Sequence, residues 1–253
     1  MTGVPGERGT TGTMFGPDIA EVYDFTYRRR GQDFDKEAAL VSEIARERHP
    51  AASSLLDVGC GTGEHLKALS GMFGHVAGID LSEPMVAVAR RKLPGVEVHL
   101  ADMCRFDLGR RYDVVLSLSA AVAYLPSLTA VRAALGRMVA HLAPGGVLVV
   151  EPWYFPENYL DGHVAGDLIR SPERTVSRVS YSRERDGATV IESHWVVADA
   201  RGIRSFVETH VFGLWEREQY ERAFADAGCT VEYVGDVQAG RGLFVAQRSR
   251  ERA

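Results

Sequence analysis

The chain has little cysteine: Cys60, Cys104 and Cys229 are the only three in 253 residues. An odd count without CxxC or paired-histidine spacing argues against a disulfide framework and a zinc site, and free thiols fit a reducing cytoplasm. Basic residues are not in excess. Lys and Arg number 29 against 34 Asp and Glu, a formal net charge of −5, so the positive footprint of a nucleic-acid binder is missing. No apolar run approaches a membrane span, no signal peptide is visible, and no internal repeat is present. His65, His99, His141, His163, His194 and His210 show no metal-ligand spacing and read as packing or surface residues.

The rest of the composition is ordinary for a globular protein, 45% hydrophobic, in a chain long enough to bury an α/β core as one domain with an insertion. Residues 1–13 are rich in Gly and Thr without an apolar pattern, which predicts a disordered tail; Arg248 to Ala253 read as a frayed end.

The most informative stretch is Leu55-Leu56-Asp57-Val58-Gly59-Cys60-Gly61-Thr62-Gly63, a buried strand entering a glycine turn before a helical stretch, His65 to Leu69. Glycine tolerates positive φ and lets a ligand approach the backbone. A dinucleotide site would show G-x-G-x-x-G; here the glycines alternate and an acid precedes them. Val76 to Asp80 is a second apolar strand ending in an acid, and Asp80 stands about 20 residues beyond Gly59, where a doubly wound fold places a ribose-binding carboxylate. Val96 to Leu100 is a third strand, followed by Ala101-Asp102-Met103. Tyr112 to Ser117 and Gly145 to Glu151 are the fourth and fifth. Near-continuous apolar strands alternating with helical patterns predict a parallel sheet buried on both faces.

Before this sheet, Ile19 to Tyr27 and Phe34 to Glu47 read as helices joined at Gly31, bringing Tyr23, Tyr27 and Phe34 toward the mouth of the site. Arg28 and Arg29 read as a solvated face. After it, Thr175 to Ser182, Ala188 to Val197 and Arg204 to Phe212 alternate with period two and predict antiparallel strands with one wet face. Glu216 to Ala227 reads as an amphipathic helix ending at Gly228; Val231 to Val234 and Gly242 to Ala246 read as the last core strands. The expected division is 14–151 for the core with its N-terminal helices, 152–212 for an antiparallel cap, and 213–247 for the C-terminal helix and strands.

The Gly59-Cys60-Gly61-Thr62-Gly63 turn resembles the first motif of class I S-adenosylmethionine (SAM) methyltransferases, whose fold is an α/β, Rossmann-like sheet. That motif alone fits any small-molecule methyltransferase, including an O-methyltransferase on another natural-product acceptor, or a SAM-binding partner subunit without catalysis. Narrower strings are Glu151-Pro152-Trp153-Tyr154-Phe155-Pro156-Glu157, Glu218-Gln219-Tyr220-Glu221-Arg222-Ala223-Phe224 and Gly240-Arg241-Gly242-Leu243-Phe244. With them, the chain from about Phe15 to Ala246 resembles the bacterial SAM-dependent N,N-dimethyltransferases of TDP-amino-deoxysugars.

The resemblance implies SAM as cofactor and a TDP-linked amino-deoxyhexose as substrate, with no metal. Tyr23, Arg30 and Phe34 would meet the cofactor from the N-terminal helices, Arg30 holding its carboxylate through two parallel hydrogen bonds. Asp57, Gly59, Cys60 and Gly61 form the turn beneath its methionine part, Asp57 orienting the loop. Asp80 and Leu81 meet the ribose side, Asp102 and Met103 the adenine, and Ser117 closes the set. For the substrate, Arg178 and Arg241 are diphosphate candidates, with pairing to an acid as the plain alternative. Ser180 and Phe15 join the substrate set. Trp153 and Tyr154 supply apolar walls or the base of the cap, whereas Phe155 reads as core. Tyr23, Tyr124 and Glu151 are the polar groups expected near the transfer axis, and Glu151 either steadies the amine or anchors the cap. Phe15 stands where members carry Tyr, and Tyr124 where members carry His or Tyr, so no histidine base is carried over there. An exposed cap sheet invites covering by a second copy.

Overall fold

The structure, a computed structural model, describes residues 15–238 and 240–248, so the tail expected at 1–13 and residues 249–253 of the expected frayed end lie outside the described residues. Arg248, expected to fray with them, instead closes the last strand and donates to the Leu142 carbonyl at 2.8 Å. Helices α1 (Pro17–Arg29) and α2 (Phe34–Arg48) precede β1 (Ser54–Val58), α3 (Glu64–Leu69), β2 (His75–Asp80), α4 (Glu83–Lys92) and β3 (Glu97–Leu100). β4 (Tyr112–Ser117) leads through a 3-10 turn (Ala121–Tyr124) and α5 (Leu128–Ala140) into β5 (Leu142–Val150). Strands β6 (Val164–Arg170), β7 (Arg174–Arg185), β8 (Ala188–Asp199) and β9 (Gly202–Gly213) follow, then α6 (Arg217–Asp226), β10 (Cys229–Val234) and β11 (Leu243–Arg248).

Seven strands form one sheet in the order β10-β11-β5-β4-β1-β2-β3. β1 to β5 run parallel, β11 is antiparallel to β5, and β10 to β11. Alternation along the strands fills both faces. Leu56, Val58, Val115, Leu148 and Val150 join Leu135, Met138 and Phe224 on one side. Leu55, Val114, Leu116 and Val149 join Val41, Leu66 and Val86 on the other. The strand order reverses between β1 and β4, so their following loops diverge and open a crevice, where open α/β sheets bind ligands.

The other four strands form a separate antiparallel sheet, β6-β7-β8-β9. Three of them match expected stretches. β6 was not expected: its Gly166-Asp167 centre is poor strand sequence, and pairing along β7 overrides that preference. Helix α1 joins the sheet to the core, since Ile19, Ala20 and Val22 pack with Val176, Trp195 and Val197 of the cap and Met85 of α4.

The glycine turn sits tightly on β2. A Cβ on Gly78 would lie 2.6 Å from Leu66 Cδ1 and 2.8 Å from Cys60 Sγ. Gly78→Ala therefore overpacks the turn, destabilising the protein by about 1–3 kcal/mol. At this chain length Tm falls by about 2–4 °C per kcal/mol, measurable by differential scanning calorimetry.

Candidate active site

Asp57, the penultimate residue of β1, lies beneath the turn and is 1% exposed. Its Oδ2 has no hydrogen-bond partner, and burial pushes its carboxyl up to about 7. Gly59, Gly61 and Gly63 all have positive φ. A Cβ on Gly59 would fall 2.7 Å from Ala121 Cβ and 3.7 Å from Met103 Cε, so the turn needs glycine here and faces both the β4 loop and Met103. Asp80 accepts from the Gly61 amide and, through its other oxygen, from the Ser82 amide, each at 2.8 Å. Burial raises the Asp80 carboxyl despite these bonds. Asp102 accepts from the Cys104 amide at 2.8 Å, turning the chain after β3. Leu81 is 70% exposed beside Asp80.

The β4 loop faces this turn. Ser119 and Ala120 both hold left-handed backbone, φ 53° and 56°. Glu151, 2% exposed, accepts the Ser119 N–H at 2.7 Å and binds Arg241 through its other oxygen, with Nε at 2.8 Å. Burial raises the Glu151 carboxyl against the pull of Arg241. Arg241 lies over the Trp153 and Tyr154 rings. Trp153 stacks on Phe212 with centroids 4.2 Å apart and donates Nε1–H to Thr189 Oγ1. Phe155 is buried in the core, as expected, against Tyr233 and Phe244.

Phe15 clasps the cap to the core: its N–H donates to Glu208 and its carbonyl accepts from Ser82 Oγ at 2.7 Å. Its ring meets Tyr23, Tyr124 and His210. Tyr23 and Tyr27, one helical turn apart, stack at 4.4 Å. Tyr124 OH lies 3.1 Å from His210 Nδ1. Burial pushes the Tyr23, Tyr27 and Tyr124 phenols above their ordinary range, so they stay neutral. On β7, Arg178 and Ser180 point to the buried side; Arg178 donates to Ser193 and lies 3.6 Å from Asp167.

Several expected residues sit differently. Arg30 pairs with Asp167 of the cap at 2.9 Å, so its charge is already engaged with the cap sheet. Arg28, read as a solvated side chain, instead pairs with the buried Glu64 right after the glycine turn and stacks on Phe34. Phe34 is 2% exposed and packs on His65, which makes it support for the site. Ser117 is buried and donates to the Val58 carbonyl at 2.8 Å, tying β4 to β1. Arg241 is neutralised by Glu151, which removes the charge surplus a diphosphate site needs. Gly242 is explained by Tyr233, whose ring leaves no room for a Cβ and whose hydroxyl donates to the Arg241 carbonyl.

His210 and Glu208 were missed as site residues. The only signal was polar residues at alternate positions of β9, which reads equally as a wet face. His65 also lies inside: it bonds Glu37 at 2.7 Å, and this acid together with Asp57 raises its pKa against the effect of burial. Among the described residues no group of His, Cys, Asp and Glu could hold a metal ion.

The residues around the turn fit SAM. A buried carboxylate oxygen without a hydrogen-bond partner suits the cationic amino group of a methionine moiety, and the three positive-φ glycines above it leave a backbone without side chains for a ligand to approach. Because Asp57 titrates near 7 in the free protein, its charge is lost below that pH. Affinity for SAM should therefore weaken by roughly tenfold per pH unit below about 7, and weaken again above about 8, where the methionyl amino group loses its own proton. Calorimetric titration checks this, and Asp57→Asn should bind weakly with the acid-side slope abolished.

The "Methyltransferase domain" family profile matches residues 55–146. Over 233 residues the chain is 46% identical to a dTDP-3-amino-3,4,6-trideoxy-alpha-D-glucopyranose N,N-dimethyltransferase of Streptomyces venezuelae, covering 92% of this chain and 98% of that one. It is 40% identical to a dTDP-4-amino-2,3,4,6-tetradeoxy-D-glucose N,N-dimethyltransferase of Saccharopolyspora spinosa, covering 94% and 96% of the two chains. A SAM-bound amino pentose methyltransferase from Micromonospora echinaspora, involved in calicheamicin biosynthesis, superposes with TM-score 0.84 at 50% identity, covering 90% of this chain and 97% of that one. The chain belongs to the SAM-dependent N,N-dimethyltransferases of TDP-linked amino-deoxysugars.

Proposed function

We propose that this protein methylates the amino group of a TDP-linked amino-deoxyhexose, twice, in the biosynthesis of an antibiotic sugar. One observation carries the reading. The general methyltransferase signal stops at residue 146, whereas similarity to the amino-sugar enzymes extends across the cap that covers the crevice. The working division is a SAM-binding core with its N-terminal helices, a cap, and a C-terminal helix with the last two strands.

Bound SAM supplies an electrophilic methyl on its sulfonium. Asp57 receives the methionyl amino group, the Gly59 turn lies beneath the chain, Asp80 accepts from the ribose, and Met103 and Leu81 flank the base. Tyr23 and Tyr124 line the transfer axis, Phe15 closes it, and Trp153 and Tyr154 wall the nucleotide sugar. Glu151 positions the β4 loop through Ser119. Arg178, with Ser180 beside it, receives the diphosphate, supported by Arg30. Two guanidiniums share one carboxylate, Asp167, leaving a surplus positive charge that a phosphate would balance. Alignment of a neutral amine with the methyl supplies about 7–11 kcal/mol of the barrier.

Mass spectrometry with SAM and TDP-3-amino- or TDP-4-amino-dideoxyhexoses tests the reading. A gain of two methyl groups is expected. Arg178→Ala should raise the KM for the nucleotide sugar about tenfold or more, on the scale of a lost charged hydrogen bond, with SAM affinity unchanged. SAM binding without product from any amino sugar would move the reaction to another acceptor.

The working form is a homodimer in the cytoplasm. The cap sheet leaves Val164, Leu168, Val179, Tyr181, Val196 and Val211 between 43% and 67% exposed on its outer face. Exposed apolar side chains on all four strands of one sheet face, with the Glu192–His194 pair among them, suit an interface. No described helix is long and apolar enough to cross a membrane. Val179→Glu with Leu168→Glu should convert the dimer to monomer in sedimentation velocity. A wild-type monomer at micromolar concentration would refute the pairing.

A further inference from the structure

A sugar amine is mostly ammonium at neutral pH, as is the lysine side chain, which ordinarily titrates at about 10.4. An ammonium has no lone pair to attack a methyl group. Each methylation therefore needs a proton removed, and the phenols near the axis are too strongly held to accept one. His210, on β9, is the titratable base that meets them.

His210 Nδ1 lies 3.1 Å from the Tyr124 hydroxyl, and Nε2 lies 3.5 Å from Glu208 Oε2. That carboxylate oxygen is buried and has no hydrogen-bond partner, while Oε1 holds the Phe15 amide. The arrangement selects a tautomer: Nε2 carries the hydrogen toward Glu208, and Nδ1 presents its lone pair to Tyr124. Around this chain stand Tyr23 and Tyr27 of α1 and Arg178 of β7. Phe15 and Phe212 cover the imidazole.

We propose that Tyr124, His210 and Glu208 form a proton relay, with His210 the base that deprotonates the substrate ammonium before each methyl transfer; this rests on the amino-sugar N-methyltransferase reading. The ammonium N–H bond breaks and its proton passes to the Tyr124 oxygen as the Tyr124 proton moves to Nδ1. The freed nitrogen lone pair then forms the N–CH3 bond while the C–S bond breaks and its electron pair stays on sulfur. The new ammonium repeats the step after His210 has returned its proton to solvent and S-adenosylhomocysteine has been exchanged for a second SAM. Glu208 stabilises the imidazolium in between.

The experiment is the pH profile of kcat/KM for a TDP-3-amino sugar, from about pH 6.5 to about 9.5, for wild type and His210→Gln, with SAM affinity measured alongside. A general base contributes about 10²–10⁴-fold, so His210→Gln should lose at least about 10²-fold near neutral pH. The deficit should shrink by roughly tenfold per pH unit as water takes the amine's proton, with SAM affinity unchanged. Tyr124→Phe, which keeps the ring, should show the same alkaline recovery and decides the matter where His210→Gln fails to fold. A deficit constant with pH, or none, overturns the relay. A wild-type enzyme that binds SAM and leaves every amino sugar unchanged overturns the reading beneath it.

Discussion

The pairing of Glu151 with Arg241 fixes the shape of the crevice. A carboxylate this deeply buried is sustained only by a compensating charge, and stripping one partner from such a pair destabilises a protein by about 3–5 kcal/mol. With one oxygen satisfied by Arg241, the other is free to take the Ser119 amide. Ser119 and Ala120 hold a backbone that strains each by about 1–3 kcal/mol. A hydrogen bond to a charged group contributes about 1.5–3 kcal/mol, enough to offset one of the two. The remainder falls to packing: Ala120 is buried, and Ala121 presses on the face of Gly59 that has no Cβ. From this loop hangs the 3-10 turn carrying Tyr124, so the position of that phenol traces back to the ion pair.

The cap reverses the usual assignment of sheet faces. In an antiparallel sheet over a core, the apolar face packs inward and the polar face meets water. Here Arg178, Ser180, Ser182, Ser193, Glu208 and His210 are buried, while Val179, Tyr181, Val196 and Val211 are exposed. On the proposed function the inward face covers the nucleotide-sugar crevice, which calls for cations and hydroxyls, and their desolvation is offset where they pair among themselves, as Arg178 does with Ser193 and Asp167. The anchoring is then left to the cap's ends, where Trp195 and Val176 meet α1 and Phe212 meets Trp153 and Ala123.

Much of the core was legible because its signals are local. Five apolar strands, an alternating glycine turn and acids at strand ends each follow from a few neighbouring residues, and the sheet contains them in place. β6 was invisible because an edge strand with Gly and Asp at its centre owes its form to its neighbour. The polarity of the cap was invisible for another reason. Period two identifies a strand but says nothing of which face is covered, and Glu208 and His210 became site residues only once β9 was seen to turn them inward. The same limit explains the arginines. Three in a row at the end of α1 look alike in sequence, yet the last turn sends Arg28 to Glu64 and the capping Arg30 to Asp167, and no local pattern separates them. Arg241 looked free between two glycines because its partner, Glu151, is ninety positions away.

Three buried carboxylate oxygens in the site accept no hydrogen bond; Asp167 Oδ2 is held by the charges of Arg30 and Arg178, which leaves Asp57 Oδ2 and Glu208 Oε2 to be explained. Leaving such an acceptor unmade costs about 1–3 kcal/mol, and more when it is charged, so neither is explained by stability. Both become intelligible if a positive charge arrives during the reaction. The one at Asp57 comes with the cofactor's amino group and stays through the cycle. The one at Glu208 is transient, created on the imidazole when the substrate loses its proton and gone when the proton leaves. The difference in surroundings fits that division. Asp57 lies beneath a rigid glycine turn next to the packed β2. Glu208 sits on the cap, tied to the core through the Phe15 amide and carbonyl, and the group that carries its cation keeps an opening to water, with 10% of the His210 side chain exposed. A permanent counter-charge is best built where nothing moves, and a transient one where protons can come and go.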